Sequence, residues 1–85
     1  EGVPQFEVSA GEIKAGVPVI ELLAEKTKVF PSKGEARKMI QGGGVSLNKE
    51  KVTDINRTVT GDDLLNGKYI LAQRGKKNYF LLIAK

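Results

Sequence analysis

The chain contains no cysteine and no histidine. The first absence excludes disulfides and zinc sites built on thiolates. The two together remove the thiol nucleophile, the usual general base and the commonest metal ligand. An enzyme complete within these 85 residues is therefore not expected, and neither catalytic residues nor a metal site are assigned. No basic-then-apolar leader opens the sequence, and its longest apolar run is far too short to span a bilayer. The first residue is Glu1 rather than Met, so the chain reads as a cytoplasmic protein or a domain cut from a larger one, with no membrane partner.

What is present is the balance of a soluble globular domain. Hydrophobic residues make up 40% and charged residues 28% of 9.2 kDa, enough for one small domain. The net charge of +4 is unevenly spread. Residues 1–25 hold five acids and one base, a net −4, whereas residues 26–85 hold thirteen bases and five acids, a net +8. An excess of that size suits a polyanionic partner, since each neutralised phosphate releases condensed counterions. An ordinary lysine-rich solvated surface has the same composition, so position has to decide.

Gln5 to Ser9 alternates in the manner of an edge strand or an extended lead-in, and Ser9-Ala10-Gly11 and Ala15-Gly16 punctuate it. Val17 to Lys26 predicts a first helix, with Pro18 in its first turn and a broad apolar arc from Val19 to Ala24. Pro31 interrupts the pattern. Ser32 followed by Glu35 is a capping box that opens a second helix, and Gly42-Gly43-Gly44 closes it. Val45 to Asn48 and Lys51 to Thr53 predict short strands joined at Lys49-Glu50. Asp62 to Leu65 predicts one helical turn ended by Asn66-Gly67. Lys68 to Arg74 and Asn78 to Ile83 are the clearest strands, joined through Gly75-Lys76-Lys77.

The second helix carries most of the chemistry. At about 100° per residue, Lys33 and Arg37 share one flank with Lys38 and Gln41 beyond them, while Ala36, Met39 and Ile40 face a core. Its amino end favours an anion and Arg37 offers a bidentate guanidinium, although a plain amphipathic surface helix has the same spacing. Asn48, Lys49 and Lys51 project beside the end of this helix if the strand pair packs on it. Tyr79 and Phe80 fall on opposite faces of the last strand. Both can be core residues, and Tyr79 is the better candidate to stack on an unpaired base. Asp62 and Asp63 are adjacent carboxylates in a turn, open to a loose magnesium site but better suited to the charge of a helix start.

The run PSKGEARKMIQGGGVSLN from Pro31 to Asn48 resembles the S-four-type RNA-binding domain. The flanking segments Gly16 to Leu23 and Arg74 to Tyr79 make the chain from residue 16 to 85 similar to the C-terminal domain of bacterial tyrosyl-tRNA synthetases. The resemblance implies a small α+β domain, two helices packed on a small mixed or antiparallel sheet, with residues 1–15 as a lead-in from a larger parent. It places RNA contacts on Ser32, Lys33, Ala36, Arg37 and Gln41 of the second helix, on Asn48 and Lys51, and on Arg74, Lys76 and Lys77 of the last hairpin; Lys38, Lys49 and Tyr79 join them from the reading of the helix flank, the strand pair and the last strand. Ala36 serves there by allowing close approach, or else belongs to the core. Three features depart from the family pattern: Asn48-Lys49 replaces Asn-Gly at the strand turn, Lys33 stands where Arg is common, and an extra glycine, Gly42, is expected to loosen the end of the second helix.

By this resemblance the partner is tRNA, specifically tRNA(Tyr). The domain would orient it for a tyrosine–tRNA ligase that acts as a homodimer, and ATP and tyrosine would bind the catalytic part, leaving no cofactor or small-molecule site here. Two rivals remain. One is the same module in a ribosome-associated or RNA-modifying protein. The other is a protein-interaction module whose edge strand pairs with a partner and whose lysines only maintain solubility.

Overall fold

The hairpin that is strongest in sequence forms the middle of the sheet. In the computed structural model, which describes residues 3–85, β6 (Tyr69–Arg74) and β7 (Asn78–Ala84) pair antiparallel from Tyr69↔Ile83 to Arg74↔Asn78. β3 (Val45–Leu47) adds antiparallel to the other edge of β6, and β4 (Glu50–Lys51) adds antiparallel to β3. On the far side, β1 (Gln5–Val8) lies parallel to β7. The resulting order, β1-β7-β6-β3-β4, is a mixed sheet, and with the helices below it makes the fold α+β.

The period of two along each strand separates the faces. Val45, Leu47, Ile70, Ala72, Phe80 and Leu82 are buried against the helices. Tyr69, Leu71, Gln73, Leu81 and Ile83, on the other face, stay half-buried. The helical layer holds α1 (Ala10–Ala15), α2 (Val19–Glu21), which runs on as a π turn over Leu22–Lys26, and α3 (Lys33–Gln41). Ile13, Leu22, Leu23, Phe30 and Ile40 are fully buried between the layers. Thr27, 3% exposed, ends the π turn, and its hydroxyl donates to the Leu22 carbonyl at 3.0 Å.

Several boundaries differ from the sequence expectation for identifiable reasons. The first helix begins at Val19 because Val17 precedes a proline and is held extended. Val17–Pro18 instead forms β2, antiparallel to β5 (Thr58–Val59). Of the two readings of Gln5 to Ser9 the edge strand holds, and residues 5–15, placed by the resemblance in a lead-in, are built into the domain: β1 joins the sheet, with Phe6 against Phe80 at 6.1 Å between ring centroids. The unanticipated α1 has only Ile13 to bury. It is held by the Ser9 hydroxyl, which accepts the Glu12 N–H at 3.2 Å, and it stops at Gly16 with φ 103°. So short a helix owes its existence to this cap and to burial of Ile13 rather than to periodicity.

The turn between β3 and β4 also sits one residue earlier than expected. Asn48 and Lys49 occupy it with φ 53° and 70°, the two left-handed residues that match the twist of a hairpin. The expected turn at Asp62 to Leu65 is a 3-10 helix over Gly61–Asp63, capped by Thr60.

Candidate nucleic-acid interface

The carboxyl end of α3 is where the basic elements converge. Gly43 has φ 77° and donates to the Ile40 carbonyl at 3.0 Å, and Gly44 donates to the Met39 carbonyl at 2.7 Å. These two bonds are the Schellman closure, which requires a left-handed residue after the helix. The extra glycine therefore leaves the helix end firmly tied. The Gly44 carbonyl in turn accepts the Gly75 N–H at 2.7 Å, which brings the tip of the β6–β7 hairpin against the end of α3. A β-carbon added at Gly43 would lie 3.5 Å from Lys51 Nζ, so the Lys51 side chain lies across the same turn.

Three elements thus share one rim: α3 with Lys38 and Gln41, the β3–β4 hairpin with Lys51, and the β6–β7 turn with Lys76 and Lys77. All five side chains are exposed. Among the described residues, ion pairs occupy Lys26 with Glu12, Lys33 with Glu25 (3.2 Å), Arg57 with Asp63 and Lys85 with Glu7. The lysines of the rim, and Arg37 one helical turn before Gln41, are outside that set. Unpaired, exposed cations on neighbouring elements repel one another, and a polyanion laid across them relieves that repulsion.

The other sequence-predicted residues divide by environment. Ser32 caps α3, its hydroxyl accepting the Glu35 N–H at 3.2 Å. Lys49 is exposed at the hairpin tip. Tyr79 is 36% exposed on the outer sheet face, while its neighbour Phe80 enters the core. Ala36 is 0% exposed: it lies on the helix face with Ile40, packed inward, and leaves the surface set.

Asn48 is committed internally. Its Nδ2 donates to the Asp63 carbonyl at 2.6 Å and its Oδ1 accepts the Leu71 N–H at 2.9 Å. Arg74 is likewise engaged, its guanidinium donating to the Val29 carbonyl at 2.5 Å and lying 5.8 Å and 5.2 Å from the ring centroids of Phe30 and Phe80. Both are half-buried structural ties rather than free surface groups. The Asp63 carboxylate accepts from Arg57 and from the Thr60 N–H, which ties it into its own loop.

Sequence reasoning missed the cleft beside the amino half of α3. It measures about 310 Å3, with Lys33 and Arg37 on one side and Ile55 and Asn56 on the other. No local signal marks Ile55 and Asn56, because only the β2–β5 pairing brings their loop against α3.

Residues 1–82 match the family described as the tyrosine–tRNA ligase SYY-like C-terminal domain. The chain belongs to this family. Its curated relatives include tyrosine–tRNA ligases from Bacteroides thetaiotaomicron, 60% identical over the whole chain, Parabacteroides distasonis, 54% identical over the whole chain, and Flavobacterium psychrophilum, 45% identical over the whole chain. The chain covers 20% of each of these proteins. The family match includes β1 and α1 as well as the helix–strand core, and reaches into β7 as far as Leu82.

Proposed function

We propose that this domain binds tRNA, specifically tRNA(Tyr), and orients it for aminoacylation by the catalytic part of a tyrosine–tRNA ligase. The observation that carries the reading is the meeting of α3, the β3–β4 hairpin and the β6–β7 turn at Gly43–Gly44, with unpaired cations on each. Family membership supplies the kind of polyanion. The domain acts by position: it grips phosphates and the shape of the RNA, while ATP and tyrosine belong to the catalytic part of a cytoplasmic homodimer. No cofactor is assigned to the domain itself. The α3–turn–β3 unit is the S-four-like element of this reading, with Lys38, Gln41, Lys51, Lys76 and Lys77 as its rim and Arg37 beside it.

The test is an anisotropy titration of labelled tRNA(Tyr) at several salt concentrations, with an unrelated tRNA as competitor. About five phosphate contacts give a slope of log K against log salt of roughly −3.5 to −4.5. Arg37→Ala and the pair Lys76→Ala/Lys77→Ala each weaken binding and flatten that slope. Flat, weak binding that ignores these substitutions in a folded domain refutes the proposal and leaves the protein-interaction reading in its place.

A further inference from the structure

We infer that the cleft between α3 and the loop preceding β5 holds one unpaired nucleotide of the bound RNA, with Glu21 and Asn56 reading its base. This rests on the RNA-binding reading above and adds to it a site for base recognition. The volume of about 310 Å3 lies at the lower end of the roughly 300–1,000 Å3 typical of small-molecule sites. Its lining combines apolar, cationic and hydrogen-bonding groups. Ile20 and the half-buried Ile55 provide an apolar surface, and α3 contributes Lys33 and Arg37. Glu25 already pairs with Lys33 at 3.2 Å, so Arg37 is the cation left for a phosphate.

The remaining two polar groups make this more than an anion site. Glu21 is half-buried at the cleft and outside the ion pairs formed among the described residues. Its carboxylate repels a bare anion but accepts hydrogen bonds from N–H donors such as an exocyclic base amine. Asn56 has its backbone N–H tied to Asp54 Oδ1 at 2.8 Å, which fixes the loop, while its side-chain amide is exposed. An amide supplies both a donor and an acceptor. A single ligand class suits all of these at once: a flat base over Ile20 and Ile55, its polar edge towards Glu21 and Asn56, and its phosphate on Arg37. Unpaired bases are where RNA offers such edges to side chains. A carboxylate acceptor further favours bases carrying an exocyclic amine, adenine and cytosine among them, over uracil.

The experiment is a methyl NMR titration of the isoleucine-labelled protein with AMP, CMP, UMP and inorganic phosphate. The expected result is movement of the Ile20 and Ile55 methyl resonances with AMP and CMP, at about five- to tenfold tighter binding than UMP, and no movement with phosphate. Glu21→Gln levels the preference, and Asn56→Ala, an exposed change that leaves the fold intact, weakens AMP binding several-fold. Still methyl resonances with all three nucleotides, or equal shifts with phosphate alone, overturn the inference. The tRNA titration separates the two readings. If Asn56→Ala binds as wild type while Arg37→Ala is weakened, the cleft assignment falls and RNA binding stands. If no cation variant changes binding, the RNA reading itself falls.

Discussion

Replacing Arg74 by alanine should damage the fold far more than RNA binding. The guanidinium makes one charge-assisted hydrogen bond, to the Val29 carbonyl, and lies over Phe30 and Phe80 at 5.8 Å and 5.2 Å. A hydrogen bond to a charged group contributes about 1.5–3 kcal/mol, and each partly exposed cation–π contact about 0.5–1 kcal/mol. Truncation also strips cover from the edge of Phe80, which is 9% exposed. Because the three contacts share one group and do not add fully, the expected loss is about 2–3 kcal/mol. For a domain of this length that lowers Tm by roughly 10–20 °C. Thermal unfolding followed by circular dichroism reads the shift. At a temperature where the variant is still folded, its salt slope for tRNA should stay close to wild type, because the Arg74 guanidinium is held inward against Val29, Phe30 and Phe80 rather than projecting from the rim. A variant with unchanged Tm and a slope shallower by about one would refute this reasoning and return Arg74 to the RNA surface.

Further substitutions probe the turn and the helix. Lys49→Gly should stabilise the domain by about 0.5–1 kcal/mol in denaturant unfolding, because Lys49 holds φ 70° in a turn that favours glycine, while removing one positive charge from the surface. Asn48→Ala should cost about 2–3 kcal/mol, since it leaves the Leu71 N–H and the Asp63 carbonyl without their partner. Gly43→Ala should cost about 1–2 kcal/mol through its φ of 77°, read as a lower denaturant midpoint at unchanged slope. Lys33→Ala should weaken tRNA binding less than Arg37→Ala in the same salt series, because Glu25 already neutralises Lys33.

The elements that could be read from sequence are those whose cause is local. The Ser32 cap and the glycines after Gln41 bound α3 within a residue, and the high strand propensity of Lys68 to Arg74 and Asn78 to Ile83 located β6 and β7. Where the cause is distant, the reading stopped. The alternation of Gln5 to Ser9 left an edge strand and a lead-in both open, and only the pairing with β7 at the other end of the chain decides for the strand. β2 and β5 exist only as each other's partner. The candidate interface divides in the same way. The exposed lysines were legible because a solvated charge needs no partner to be recognised. Arg74 and Asn48 looked equally free in sequence. Their true partners, Val29 and Leu71, lie 45 and 23 residues away.

The parallel pairing of β1 with β7 bears on the order in which the domain assembles. Gln5 aligns with Leu81, the Ala10 N–H donates to the Lys85 carbonyl, and the Lys85 N–H donates to the Val8 carbonyl. The first strand made therefore waits, both edges open, until almost every other residue has left the ribosome. At about 5–20 residues per second, seconds separate the making of β1 from that of β7, its only partner in the sheet. Contacts between such distant residues also close late on entropic grounds. The β6–β7 hairpin, local and complete in itself, is the natural platform. β1 then docks as the closing step, placing Phe6 over Phe80.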